Sequence, residues 1–138
     1  MGRPVVHFEI EGRDGRGLQN FYSKMFEWEF IPAPINPEYG LVSRESNMSA
    51  EGVGIGGAVN TVPERPSTTW RGPTREDGYQ GHVMVYVEVP DVEAALVLAE
   101  RLGGKRMQGP DDVGQGRWMG KFTDPEGHII GLVSPSKP

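Results

Sequence analysis

The feature that most constrains the fold is an order of strand, helix and further strands that occurs twice along the chain. In each occurrence a strand of alternating apolar residues leads to an aspartate that can cap a helix. These aspartates are Asp14 and Asp91, and they lie 77 positions apart (91 − 14). At the same offset Phe8 corresponds to Val85, and both occupy apolar positions of their strands. The repeat predicts an internally duplicated module.

The first module spans about residues 3–59. Its opening segment, Val5–Glu11, alternates Phe8 and Ile10 with polar residues, which is typical of a strand with one face on a core. A helix is predicted over 14–26, where apolar residues recur at spacings of three and four. Three further strands complete the module, at 28–31, 39–43 and 53–59.

The second module spans about residues 82–134. A strand over 82–89 precedes a helix over 91–102, and the pair Gly103–Gly104 ends that helix. The sequence Asp-Pro-Glu-Gly at 124–127 predicts a tight turn. The other strands are predicted at 105–108, 117–123 and 128–133. The fold class is therefore α+β, with two βαβββ modules in a single domain over 1–138.

Residues 60–81 join the modules and lack any apolar period. Three prolines interrupt this segment, and charged, serine and threonine residues separate them. Such a composition predicts a linker with little regular structure, either flexible or laid over the surface. We expect the linker to be more mobile than the modules, with Trp70 and Tyr79 as the residues able to pack on another part of the chain.

Composition excludes several classes of function. The formal net charge is −5 without a cluster of Lys or Arg, so we expect neither nucleic acid nor an anionic membrane as a partner. The chain has no cysteine, which excludes a disulfide framework and thiolate chemistry. The first residues lead directly into a strand, and no long apolar run follows. We therefore expect no signal peptide, no spanning helix and a cytoplasmic location.

The order of the motifs resembles a known superfamily. HFEI precedes a helix carrying NFYSKMFEW, and VYVEVPDVEAAL, LGGK and DPEGHIIGLV follow. This order resembles the vicinal-oxygen-chelate superfamily of glyoxalases, bleomycin resistance proteins and dioxygenases, and within it the uncharacterised bacterial glyoxalase-related group. The resemblance covers nearly the whole chain except the linker. It implies curved mixed sheets around a small-molecule cavity, and a homodimer, since many members dimerise.

The resemblance also implies four positions for metal ligands, on the first and last strands of each module. His7 occupies the first position, and its counterpart in the second module is Met84. The last strand has Gly131 where the family usually has glutamate, and the 77-residue offset places Gly54 opposite it. Methionine is a poor ligand for a hard divalent ion and glycine offers no side chain. The sequence therefore predicts that the full metal centre of the family is missing.

Strand parity identifies candidate site residues. If Phe8 and Ile10 face the helices, then His7, Glu9 and Glu11 face the opposite side. In the second module the same parity groups His82, Met84, Tyr86 and Glu88. A strand rises about 3.4 Å per residue, which separates side chains at i and i+2 by nearly 7 Å and makes Glu9 an awkward partner of His7 for one ion. Polar strand residues of this kind also commonly face water.

Three hypotheses remain open. The first is a cavity protein that binds a small organic molecule without a metal, and the missing ligands favour it. The second is a lyase, isomerase or dioxygenase with a divalent metal or general base in an atypical set around His7 and His82. The third is a regulatory module with a vestigial cavity. The first is our prediction, with no cofactor and no assigned catalytic residue. Its ligand-binding residues are His7, Glu9, His82, Tyr86 and Trp118, although Trp118 could instead fill the core.

Overall fold

The protein was analysed as a computed structural model that describes residues 2–34, 36–73 and 81–136. These residues form eight β-strands and two α-helices, which confirms the predicted α+β class. In chain order the elements are β1 (Val5–Gly12), α1 (Gly15–Phe26), β2 (Ile31–Pro32), β3 (Gly40–Val42), β4 (Gly56–Thr61), β5 (His82–Glu88), α2 (Val92–Arg101), β6 (Lys105–Gly114), β7 (Arg117–Thr123) and β8 (Ile129–Val133). A single 3₁₀ turn, Arg44–Ser46, lies between β3 and β4.

The described residues divide into two compact units. The N-terminal unit contains 6–34, 36–63 and 81–83. The C-terminal unit contains 2–5, 64–73 and 84–136. The order of elements is strand, helix and three strands in both halves of the chain, as the internal repeat predicts.

Both helices begin at the aspartates that the sequence identifies as caps. The Asp14 carboxylate accepts a hydrogen bond of 2.9 Å from the backbone N–H of Gly17, and that of Asp91 accepts one of 3.0 Å from Ala94. Each bond satisfies an N–H that the first helical turn leaves without a backbone partner. Neither α-helix in the described part of the chain has the length and apolarity needed to cross a membrane.

In the N-terminal unit the strands lie in the order β2-β3-β4-β1, with β4 parallel to β1 and antiparallel to β3. Phe8 on β1 is paired with Gly57 on β4, and a β-carbon at Gly57 would overlap the Phe8 ring. The Phe8 ring lies 5.2 Å from Trp28, which in turn contacts Tyr22 and Phe26 of α1. These aromatic rings fix the face of β1 that α1 covers, so the alternate residues of β1 face the other way.

In the C-terminal unit the strands lie in the order β5-β8-β7-β6, with β5 parallel to β8 and the remaining pairs antiparallel. Its core consists of Val89, Val92, Leu96 and Leu132. A β-carbon at Gly120 of β7 would lie 2.9 Å from Val92 and 3.0 Å from Leu96, so glycine at this position allows α2 to approach the sheet closely.

Three strands differ from their predicted bounds by three residues or more. The strand predicted at 105–108 continues to Gly114, where its antiparallel pairing with β7 ends. The first short strand is predicted at 28–31 but lies at Ile31–Pro32, because Trp28 belongs to the aromatic cluster under α1. The last strand of the first half is predicted at 53–59 but starts at Gly56, after a turn in which Val53 and Gly52 bond back to Ser49. It then continues to Thr61, two residues into the predicted linker.

Residues 67–71 of the predicted linker lie along β6. Ser67 Oγ and Thr69 Oγ1 donate hydrogen bonds of 2.8 and 2.7 Å to the two carboxylate oxygens of Asp111. The backbone N–H of Arg71 donates to the carbonyl of Met107 at 2.6 Å. We call residues 67–71 the docked segment. Residues 74–80 of the predicted linker lie outside the described residues.

Candidate functional site

A group of ionisable side chains lies on the face of β1 opposite α1, within the N-terminal unit. Glu9 and Glu11 of β1 are only 9% and 8% exposed. His82, at the start of β5, places its Nε2 atom 3.6 Å from Glu9 Oε1 and 3.9 Å from Glu11 Oε2. Each of the three residues offers a donor atom within 4.8 Å of the other two. Two carboxylates and an imidazole are therefore gathered at one place with little exposure to water.

Asn60 extends this group along the neighbouring strand. It is paired with Glu11 in the β1–β4 register, so the two side chains share one face of the sheet. Asn60 is 3% exposed, and its Oδ1 has no hydrogen-bond partner among the described residues. Buried amide oxygens nearly always have a partner, which makes this atom a candidate for contact with a bound molecule or ion.

Tyr39, just before β3, adds a phenol. Its pKa is raised, first because burial disfavours the phenolate and then because the negative charges of Glu11 and Glu9 oppose it. A side-chain hydrogen bond with Asn36 lowers the pKa by less than these effects raise it. Tyr39 is therefore a neutral hydrogen-bond donor at neutral pH. We call Glu9, Glu11, His82, Asn60 and Tyr39 together the N-terminal polar site.

This arrangement can perform two kinds of chemistry. Carboxylates with little access to water are stabilised by a positive charge or by hydrogen-bond donors, so the site suits a cation or a polar group of a small molecule. A carboxylate beside a neutral phenol also offers a proton acceptor and a proton donor within one site.

The structure brings two of the five predicted ligand-binding residues together, namely Glu9 and His82. His7 lies on the same strand, paired with Gly56, but it does not belong to the ionisable group formed by the described residues. The group is centred on Glu9 and Glu11, towards the C-terminal end of β1.

Tyr86 and Trp118 belong to the C-terminal unit and lie on opposite faces of its sheet. Tyr86 is paired with Gly131, and Gly131 with Lys121, so these residues share one face. Trp118 lies on the face of Gly120, towards α2, and is 41% exposed. It lines a groove of about 430 Å³ with the start of α2 and the residues that follow β8. The structure therefore does not place Trp118 beside Tyr86.

The positions that the family uses for metal ligands do not fit a metal here. A β-carbon at Gly131 would overlap the Tyr86 ring and lie 2.8 Å from the methyl group of Met84. Two of the four positions are thus occupied by packed apolar atoms. The fourth position is the counterpart of Gly131 in the first module, and the 77-residue offset misplaces it, because Gly54 lies outside β4. Gly131 is paired with Tyr86, whose counterpart at that offset is Glu9, and the residue paired with Glu9 is Ala58. Alanine supplies no ligand either.

Sequence reasoning missed Asn60 and Tyr39 as site residues. Asn60 falls inside the predicted linker, although it follows directly on the strand predicted at 53–59. Glu11 is predicted on the correct face but is absent from the predicted ligand-binding set. The proximity of Tyr39 to the carboxylates depends on the pairing of β3 with β4, for which the sequence carries no local signal.

Comparisons with known proteins agree with this fold. A family model described as a Glyoxalase-like domain matches residues 7–133. Putative glyoxylase CFP32 of Mycobacterium tuberculosis and of Mycobacterium bovis is 26% identical over 124 residues, which cover 90% of this chain and 42% of the relative. The chain thus spans about two fifths of the length of these curated relatives.

Two solved structures show the same fold at low sequence identity. Streptomyces coelicolor methylmalonyl-CoA epimerase, in complex with 2-nitronate-propionyl-CoA, has a TM-score of 0.61 at 17% identity over 96% of this chain and 97% of that one. A glyoxalase/bleomycin resistance protein/dioxygenase superfamily member from Vibrio splendidus has a TM-score of 0.54 at 12% identity over 97% and 100%. The repeated βαβββ order and the match over 7–133 lead to one conclusion: the chain belongs to the Glyoxalase-like domain family, within the vicinal-oxygen-chelate superfamily.

Proposed function

We propose that this protein binds a small organic molecule at the N-terminal polar site and does not use the four-ligand metal centre of its superfamily. The observation that carries the proposal is the convergence of Glu9, Glu11 and His82 on one sheltered face. The packing of Tyr86 and Met84 around Gly131 supports it, because that packing fills family ligand positions.

The chemistry of the site favours a ligand rich in hydrogen-bond donors or carrying a positive charge. Carboxylate oxygens only accept hydrogen bonds, and the bonds they accept are stronger than those between neutral groups. The neutral phenol of Tyr39 can donate to an oxygen of the same ligand. The epimerase structures with a similar fold were solved with organic ligands, which supports an organic compound as the first class to test.

A second candidate is an enzyme of the isomerase or lyase type. The observation in its favour is that burial, and then the negative charges of Glu11 and Glu9, raise the pKa of Tyr39, so the unit combines carboxylates with a phenol that keeps its proton at neutral pH. Such a pair can remove a proton from one atom of a substrate and return a proton to another.

The test is a calorimetric and thermal-shift screen with a library of small organic molecules that carry amines and other hydrogen-bond donors. We expect at least one compound to bind the wild-type protein, and Glu11→Gln to weaken that binding by about tenfold or more, since a charge-assisted hydrogen bond is lost. Glu126→Gln is the matched control, because Glu126 lies on the exposed hairpin turn.

Absence of any binding compound, or equal binding by wild type and Glu11→Gln, would contradict the proposal. For the enzyme candidate, the measurement is exchange of a substrate proton with solvent deuterium, which mass spectrometry detects. Exchange that the Tyr39→Phe variant loses would favour the enzyme over the binding protein.

A further inference from the structure

The spacing within the N-terminal polar site matches the spacing of donors that share one metal ion. His82 Nε2 lies 3.6 Å from Glu9 Oε1 and 3.9 Å from Glu11 Oε2, which is too long for a direct hydrogen bond. Nitrogen and oxygen ligands bind first-row divalent ions at about 2.0–2.2 Å, so two ligands of one ion lie roughly 3–4 Å apart. The donor atoms of the three side chains therefore have the mutual spacing expected of ligands that share one such ion.

Asn60 provides an independent observation at the same place. Its Oδ1 is buried and has no hydrogen-bond partner among the described residues, and its side chain shares the face of Glu11. An amide oxygen is a suitable ligand for a divalent cation and cannot itself donate a hydrogen bond. A buried acceptor on the same face of the sheet as the Glu11 carboxylate favours a positively charged occupant.

The chemical nature of the four groups narrows the class of cation. Two carboxylates with a neutral imidazole carry a charge of −2, which one divalent ion balances. Imidazole nitrogen is a common ligand of Zn, Fe, Co, Ni and Cu, whereas Mg²⁺ and Ca²⁺ prefer sites made of oxygen alone. The shielding of Glu9 Oε1 and His82 Nε2 from solvent strengthens the attraction, because it lowers the local dielectric constant.

We propose that Glu9, Glu11 and His82, completed by the amide oxygen of Asn60, bind one divalent transition-metal ion. This site differs from the family's arrangement, since it uses none of the positions of His7, Met84 and Gly131. The inference rests on the proposed function in one respect: the ion occupies the same site as the small molecule, whose oxygen atoms would fill its remaining coordination positions. Glu9 and Glu11 lie on β1, Asn60 lies on the adjacent strand β4, and His82 lies at the start of β5.

The test is titration of the purified 138-residue chain, stripped with a chelator, with Co²⁺ and Zn²⁺. Calorimetry should give one ion per chain, and bound Co²⁺ should develop visible absorption bands. Glu9→Gln, Glu11→Gln and His82→Asn should each weaken Co²⁺ binding by about 100-fold or more, and Asn60→Leu by about tenfold. Three separate ligand variants keep the test valid if one of them folds poorly, which circular dichroism would reveal.

The controls separate this site from the family position and from the surface. His7→Asn, His128→Asn and Glu126→Gln should leave the Kd for Co²⁺ unchanged. The inference is overturned if no ion binds stoichiometrically, or if His7→Asn abolishes binding while the Glu9 and Glu11 variants retain it.

The outcomes also distinguish this inference from the proposed function. If no ion binds but an organic compound still binds in a manner sensitive to Glu11→Gln, the metal site is wrong and the proposed function stands. If Co²⁺ binds with the expected variant effects and no organic compound binds, the metal site stands and the proposed function fails.

Discussion

Gly131 of β8 has no side chain, and this allows the ring of Tyr86 on the neighbouring strand to pack over it. The ring of Tyr86 and the methyl group of Met84 occupy the space that a β-carbon at Gly131 would need. Both residues are buried, so neither can move aside without disturbing the sheet. A position that supplies a metal ligand in other members of the superfamily therefore serves packing in this chain.

This packing predicts the effect of a single methyl group. Gly131→Ala should lower the free energy of unfolding by about 1–3 kcal/mol, because the added β-carbon overlaps the Tyr86 ring. Urea denaturation measures the change. The control is Gly2→Ala, where a β-carbon meets no atom within 4 Å. A Gly131→Ala protein as stable as wild type would show that Tyr86 moves freely.

Two asparagines of the N-terminal unit, the buried Asn60 and the half-buried Asn47, should respond oppositely to substitution. Asn60→Leu should leave the metal-free protein equally stable or raise its free energy of unfolding by about 1 kcal/mol, because it removes a buried oxygen that has no hydrogen-bond partner among the described residues. Asn47→Leu should lower that free energy by about 1–3 kcal/mol, because the Asn47 side chain donates to the Ile55 carbonyl and accepts from Trp28 Nε1. Urea denaturation of both variants in the presence of chelator is the measurement. Equal destabilisation by the two variants would contradict the interpretation of Asn60 as a ligand.

At the scale of the element, the sequence predicts the structural features that are determined by residues close together along the chain. The helices and their Asp14 and Asp91 caps follow from signals within a few residues. The end of β4 and the approach of Tyr39 to the carboxylates depend on strand register, which the apolar pattern specifies only where one face is buried. The parity of β1 gives the correct face for Glu9 and Glu11. The sequence does not predict their convergence with His82, because strand spacing gives the backbone positions of these residues and not the conformations of their long side chains.

The docked segment at 67–71 is held by one carboxylate. Asp111 accepts hydrogen bonds from Ser67, Thr69 and Gln108. Burial by itself raises the Asp111 pKa, but the hydrogen bonds from these three side chains and the positive charge of Lys121 outweigh it and lower the pKa below its ordinary value of 3.8. The charged form is therefore the one that holds the segment in place.

The sign of this shift predicts how the docking depends on pH. A carboxylate with a lowered folded pKa stabilises the docked state fully above its unfolded pKa, and the contribution is lost as the pH falls through the folded value. We expect the protection of the Arg71 amide from hydrogen exchange to be constant from pH 7 to pH 5 and to fall below about pH 4. Asp111→Ala should lower this protection already at pH 7, whereas Asp112→Ala should not, since the Asp112 side chain accepts a hydrogen bond from Gly114 at the end of β6. Equal protection in the Asp111→Ala and Asp112→Ala proteins would exclude this role of Asp111.

At the scale of the whole molecule, the exposed apolar residues of α1 bear on assembly. Phe21 and Met25 are 54% and 57% exposed and lie four residues apart, so they share one side of the helix. Phe26, also exposed, follows directly. Grouped apolar side chains on a surface commonly mark a site of contact with another protein. This feature supports the homodimer that the family resemblance implies and that stays a prediction.

The homodimer can be tested through this helix. Light scattering at micromolar concentration should give twice the chain mass for the wild-type protein, because closed two-fold dimers are the commonest assembly and would bury the apolar side of α1. Met25→Glu should shift the equilibrium to the monomer, since a charge would be buried without a partner at the interface. Val53→Glu is the matched control, because Val53 is exposed outside any helix or strand and its substitution should not change the mass. A wild-type mass near 15.2 kDa at all concentrations would exclude the dimer, and a dimer that Met25→Glu leaves intact would place the interface elsewhere.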